Sequence, residues 1–258
     1  MKITALLENT TNSDILQTEH GLSLYIETEK HNILFDMGQS NLFADNAKKL
    51  NINLSDVDIA ILSHGHYDHG GGLSHFLELN TTAPIYISQF AFEPHYNGNK
   101  KYIGLNKSLY QNERFIFTGE EFKIDTQLKL FSCNQKERIH SANSSELNML
   151  QNDILLPDDF KHEQYLMIEE NNKRILISGC SHKGILNLVS WFKPDYLIGG
   201  FHISKLETGE ALTNIAKNLN EYQTKYYTCH CTGVEQYNYI KKYISNINYL
   251  SCGQIINI

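Results

Sequence analysis

The sequence predicts a layered α/β fold built on a repeated unit, and three observations predict it. Apolar runs of period two around short polar turns alternate with amphipathic helical stretches along the chain. The order hairpin, helix-like segment, buried strand occurs in both halves. Residues that carry chemistry gather where the strands stop, which is where ligand crevices open in α/β sheets. With 258 residues, 41% of them hydrophobic, and no low-complexity linker, one domain spanning 1–258 is the expectation.

The elements follow in order. LSLYIETEKHNILFDMG (22–38) is two period-2 runs around the polar turn EKHN, a hairpin pattern, and SNLFADNAKKL reads as a helix after it. DVDIAILSH (56–64) is a short continuous apolar run of the kind buried on both faces of a sheet, and GGLSHFLELN is the next helix. The segment around 86–115 has no clean period and reads as a loop excursion. Its Phe90, Phe92, Tyr96, Tyr102 and Tyr110 are placed to wall a pocket, with Lys100, Lys101 or Lys107 near an anionic group.

The second half repeats the first. LMIEENNKRILISG (166–179) is a hairpin around EENNKR, KGILNLVSWF a helix, and DYLIGGFHI (195–203) a buried strand ending near His202. Asp36 and Cys180 thus occupy matching places after the hairpins, and His64 and His202 matching places after the buried strands. LTNIAKNLNEY adds a helix, KYYTCHC a strand carrying His230, QYNYIKKYI a helix, and INYLSCGQIINI one closing strand.

Composition narrows the partners. Lys+Arg of 22 against Asp+Glu of 29 gives a net charge of -7 without a basic run, which points away from nucleic acid and toward a small-molecule substrate. No apolar stretch has the length of a signal peptide or a membrane span, so a soluble, cytoplasmic protein is expected, with no membrane partner. The five cysteines lack Cys-x-x-Cys spacing, which argues against a disulfide framework or a zinc ribbon. Composition leaves the oligomeric state open.

The chemistry concentrates in SHGHYDHGGG (63–72), where His64, His66, Asp68 and His69 fall within six positions. His64 and His66, two apart in an extended segment, can point to one side, while Asp68 and His69 at the turn into the next helix can point to another. Two ligand pairs imply two metal ions. Imidazole and carboxylate suit zinc, with iron or manganese as alternatives. The three glycines that follow permit close backbone approach.

His-x-His-x-Asp-His after a buried strand resembles the signature of the metallo-β-lactamase superfamily, and FDMG, ILISGC and TCHCTG resemble its other motifs. GCSHKGI, GGFH and HCTG are similar to the branch containing dihydropterin–ribofuranosylaminobenzene phosphate synthases and related metal-dependent hydrolases. The resemblance implies an αββα sandwich of two mixed sheets flanked by helices. It implies one ion on His64 and His66 and a second on Asp68 and His69, completed by His230. For the remaining ligand Cys180 and His182 are both candidates, with His182 favoured, and His162 is a third. Asp36 is expected to orient a ligand histidine through a hydrogen bond. Cys229 and Cys231, flanking His230 in a strand, are expected to turn away from it and pack, and His20, His31, His75, His95 and His140 have no partners that the sequence names.

Two such ions would make the chain a metal-dependent hydrolase, with Asp68 orienting the nucleophilic water and His202 protonating the leaving group. A synthase-like transferase is the alternative, and a non-catalytic metal-dependent binding protein the third reading.

Overall fold

The computed structural model describes residues 1–142 and 146–258. Its first half runs β1 (Lys2–Leu7), β2 (Ser23–Glu27), β3 (Asn32–Phe35), α1 (Leu42–Lys49), β4 (Ile59–Ile61), α2 (Tyr67–Gly70), α3 (Leu73–Leu79) and β5 (Ile85–Ser88). The middle contributes β6 (His95–Asn97), β7 (Lys101–Tyr102), β8 (Phe115–Thr118), β9 (Glu121–Lys123), β10 (Leu128–Phe131), β11 (Leu147–Gln151) and β12 (Ile154–Pro157). The second half runs β13 (Tyr165–Glu170), β14 (Lys173–Ile177), α4 (Ile185–Phe192), β15 (Tyr196–Gly199), α5 (Glu210–Asn220), β16 (Lys225–Thr228), α6 (Val234–Ile240), β17 (Ile247–Tyr249) and β18 (Ile255–Asn257).

Two seven-stranded sheets result, ordered β18-β1-β2-β3-β4-β5-β8 and β17-β16-β15-β14-β13-β10-β9. The repeat read from the sequence is in the pairing: the antiparallel hairpin β2–β3 continues into parallel β4 and β5, and the antiparallel hairpin β13–β14 into parallel β15 and β16. Strand alternation sorts the side chains into layers. Ile33, Phe35, Ile59 and Ile61 of one sheet meet Ile175, Ile177 and Ile198 of the other in a shared buried layer. On the outer faces Leu34 and Ala60 pack with Phe43 and Phe76 of α1 and α3, and Leu176 and Leu197 with Leu188 and Leu212 of α4 and α5. This is an αββα sandwich. A buried Ile or Leu contributes on the order of 2–5 kcal/mol against Ala, so packing between sheets, more than the propensity of a three-residue strand such as β4, fixes the rim where the parallel strands end.

Three expectations change. The excursion at 86–115 is partly ordered as strand, because β6 and β7 join β11 and β12 in a separate four-stranded sheet. The closing segment splits, β17 pairing with β16 while β18 crosses to β1; Gly253, at φ +85, sits in the turn between them. The strand before His202 stops at Gly199, and His202 lies beyond it in a left-handed turn at φ 53.

Candidate metal centre

β4 delivers the histidine-rich loop to the rim, and close backbone packing holds it there. A Cβ on Gly65, between His64 and His66, would lie 2.1 Å from the Ala91 carbonyl oxygen, and one on Gly71 2.3 Å from that of Gln39. Only glycine fits these approaches. The short helix α2 then presents Asp68 and His69.

The donors sort into two adjoining groups. His64 Nε2 lies 3.3 Å from His182 Nε2, and His66 completes this group. His69 Nε2 lies 3.2 Å from both His230 Nε2 and Cys180 Sγ, and Asp68 Oδ2 3.3 Å from His230 Nε2. His64, His69 and Cys180 are themselves close enough to share an ion, so the groups meet along one wall.

Hydrogen bonds behind the rings set which nitrogen faces the site. Asp36 Oδ2 accepts from His69 Nδ1 at 2.6 Å and from the Ser63 hydroxyl at 2.7 Å. Having donated its proton, Ser63 Oγ accepts from His64 Nδ1 at 2.8 Å. Asn9 Oδ1 accepts from His230 Nδ1 at 2.9 Å, and buried Glu8 Oε1 accepts the His230 backbone N–H at 2.6 Å, holding a residue at φ 49. In each case the Nε2 lone pair is left for the site. One carboxylate, Asp36, thus orients a histidine of each group. Asp36→Asn should weaken metal affinity by about 10–100-fold, the usual cost of losing such a partner, as read by chelator competition; full affinity in the variant would refute the relay.

Charge follows burial. Desolvation, reinforced by neighbouring imidazoles, holds His64, His66 and His182 well below the ordinary value of 6.5. Burial opposes a charge on His69 as well, but the Asp36 and Asp68 carboxylates outweigh it and push the group up to about 9. Burial would raise Asp68, yet His69, His20 and His230 hold it well below the usual carboxylate range. An incoming cation therefore displaces a proton from His69. For the chelated protein the sign is set by the depressed group: the unfolded chain takes up protons at 6.5 that buried His64, His66 and His182 refuse, so stability present above 6.5 is lost as pH falls below it. His69, held up at about 9 when folded, opposes this only near 6.5, where the unfolded group is still half deprotonated, and is outnumbered by the three depressed histidines. The melting temperature of the chelated protein should fall steadily between pH 6.5 and 5; a flat profile would contradict this.

The structure brings His64, His66, Asp68, His69, Cys180, His182 and His230 together, with His202 beside them, its ring 4.3 Å from that of His182. Cys180 and His182, rivals in the sequence, serve different groups. His162 stands behind: its Nδ1 accepts the Gly65 N–H at 2.9 Å and its Nε2 lies 3.3 Å from Asp158, so both nitrogens are engaged. The expectation for Cys231 is corrected. β16 ends at Thr228, a 3-10 turn replaces strand alternation, and Cys231 lines the cavity, its thiol close enough to Cys180 and His202 to share an ion with them.

Two further residues, His20 and His95, had no signal in the sequence. His20 Nε2 lies 3.3 Å from Asp68 Oδ2 with its ring 4.6 Å from that of His230. His95 Nδ1 donates to Asp158 Oδ2 at 2.8 Å, close behind His66. Of the aromatics and lysines expected to wall the pocket, Lys101 does so, while Phe92 packs in the core against Tyr110 and Phe115.

The donor set fits divalent transition ions. Buried His66 Nε2, His182 Nδ1 and His202 Nδ1 have no hydrogen-bond partner among the described residues, a costly state for polar atoms unless a ligand or solvent meets them. The site opens into a cavity of about 400 Å³ lined also by Tyr67, Asn97, Lys101 and Lys205.

Comparison with known proteins agrees with this architecture. A synthase of Methanocaldococcus jannaschii, named 7,8-dihydropterin-6-methyl-4-(beta-D-ribofuranosyl)-aminobenzene-5'-phosphate synthase, is 29% identical over 266 residues, covering 93% of this chain and 90% of the relative. An uncharacterised protein of the same organism is 28% identical over 265 residues, covering 99% and 100%. The crystal structure of Tm1679, described as a metal-dependent hydrolase of the beta-lactamase superfamily, superposes with a TM-score of 0.86 at 28% identity, covering 100% of this chain and 99% of that one. The sequence profile described as "Metallo-beta-lactamase superfamily" matches residues 17–222. With its two-sheet sandwich and a histidine cluster on the rim, the chain belongs to the metallo-β-lactamase superfamily.

Proposed function

We propose that this chain is a hydrolase that uses two divalent ions, zinc by preference, to cleave an ester or phosphoester bond of a small molecule. The observation that carries this reading is the division of the donors into two adjoining groups, His64/His66/His182 and Asp68/His69/His230 with Cys180, of which His66, Asp68, Cys180, His182 and His230 line one cavity. Ions held there would supply Lewis-acid polarisation and a water acidified to near neutrality. Asp68, whose Oδ2 is shared between His20 and His230, would accept a hydrogen bond from the attacking water and orient it. His202, on the cavity wall with no partner for its Nδ1 among the described residues, would hold the proton for the leaving group. Burial opposes its charging, but contact with Cys231 raises its pKa on balance, which favours the donor form. Lys101 on the cavity wall would attract an anionic substrate, while the Lys205 charge there is paired with Glu146.

The test is elemental analysis together with turnover of bis(4-nitrophenyl) phosphate and 2-naphthyl acetate. Two metal equivalents per chain, with activity lost on chelation and restored by zinc, is the expected result; absence of a transition metal after metal-replete purification would overturn the dinuclear reading. The similarity to the M. jannaschii synthase favours a second reading, in which the same ions activate a substrate group for transfer. Turnover of a pterin with a ribofuranosylaminobenzene phosphate, without hydrolysis of either ester, would select it.

A further inference from the structure

Beside the metal cavity lies a second one of about 420 Å³, within the size range of small-ligand pockets. It sits over the outer face of the second sheet, between the loop after β15 and helices α4 and α5. The two cavities share His182 and His202 in their linings, so these two rings stand at the junction. Their linings differ in kind. The metal cavity carries Asp68, Lys101, Glu146 and Lys205, whereas the second has no Asp, Glu, Lys or Arg among its described lining residues; its apolar wall is Ile185, Leu186, Phe201, Ile203, Leu206 and Ile215, with His140, Ser141, Ser181, Asn214 and Asn218 as uncharged polar neighbours. Leu186, Leu206 and Ile215 are only partly buried and rest on the apolar core beneath, leaving apolar surface that a ligand can cover at roughly 25 cal/mol per Å².

We propose that this second cavity is a substrate subsite for a compact, uncharged, ring-sized apolar group, joined to a reacting ester or phosphoryl group that lies across the His182–His202 junction at the metal centre. The inference rests on the hydrolase reading for the reacting group but not for the apolar one. Substrates without such a group would use the metal cavity alone, and bulky ones would gain binding from the annex. Ile215, on α5 and not itself a metal donor, is the residue through which to test this, since a larger or charged side chain there changes the subsite without removing a metal donor.

The experiment compares the wild type with Ile215→Trp, which fills the cavity, and Ile215→Lys, which charges it. Calorimetric titration with 2-naphthol should give a Kd below about 1 mM for the wild type and at least tenfold weaker binding for both variants, with melting temperature and metal content unchanged. In turnover, kcat/KM for 2-naphthyl acetate should fall at least tenfold in both variants, while that for 2,2,2-trifluoroethyl acetate stays within twofold. Loss of 2-naphthol binding in the variants with neither ester hydrolysed by any form would uphold the subsite and count against the hydrolase reading. No 2-naphthol binding to the wild type, or equal binding to all three proteins, would overturn the subsite whatever the esters do.

Discussion

His230→Ala is expected to lose one of the two metal equivalents proposed above together with turnover, and Asp68→Asn to show the same pair of defects. This is the largest effect the structure leads us to expect, because both residues belong to one donor group although 162 positions separate them in the chain. Without His230, His69 and Asp68 face each other across an incomplete site, and the proton that the Asp36 and Asp68 carboxylates favour on His69 competes more effectively with the ion. His202→Ala should differ in kind: metal content stays, and kcat falls by about 10²-fold or more, within the range of general acid–base residues. Elemental analysis and kcat measured in parallel on the three variants test the scheme. Full occupancy in His230→Ala, or metal loss in His202→Ala equal to that of Asp68→Asn, would mean that the two histidines have exchanged roles.

The second large effect separates Cys180 from His182. His182→Ala should weaken one ion by more than about 100-fold, exceeding the typical penalty for a residue behind a ligand, because its ring closes the His64/His66 group and is held by Phe160 stacked at 4.5 Å and by Glu163 Oε1 accepting its backbone N–H at 2.7 Å. Cys180→Ala should cost about tenfold. Its thiol adds a donor to a group that already has Asp68, His69 and His230, and burial raises its pKa well above the ordinary 9.0, so ligation must first remove a proton. Competition titration with a chelator ranks the two variants. The reverse order would make Cys180 the more important ligand.

The residues from His64 to His69 were legible as a site in the sequence because their mutual placement is local: a short extended loop entering a helix fixes which side chains can face together, whatever the rest of the chain does. The hairpins and buried strands were legible for a similar reason, since a period of two and a continuous apolar run record burial directly. The duplicated order then located Asp36, Cys180 and His202 at equivalent strand ends. What the sequence did not contain was where each strand stops. The pattern carries the strand through Cys231, whereas β16 ends at Thr228, and that difference decides whether Cys231 follows strand alternation or turns with His230 into the cavity; hydrophobic pattern fixes boundaries no better than that. Nor did it contain contacts between distant loops. His20 meets Asp68 because the β1–β2 loop and the end of β4 share one rim of the first sheet, and His95 meets Asp158 behind His66 because β6 and β12 flank β11 in the four-stranded sheet. The sequence by itself determined the local ligand pattern and the repeated unit; the packing of the sandwich decided which donors share a group, which nitrogen each ring presents, and that a second cavity opens beside the histidine cluster, since those depend on distances between segments that no local pattern encodes.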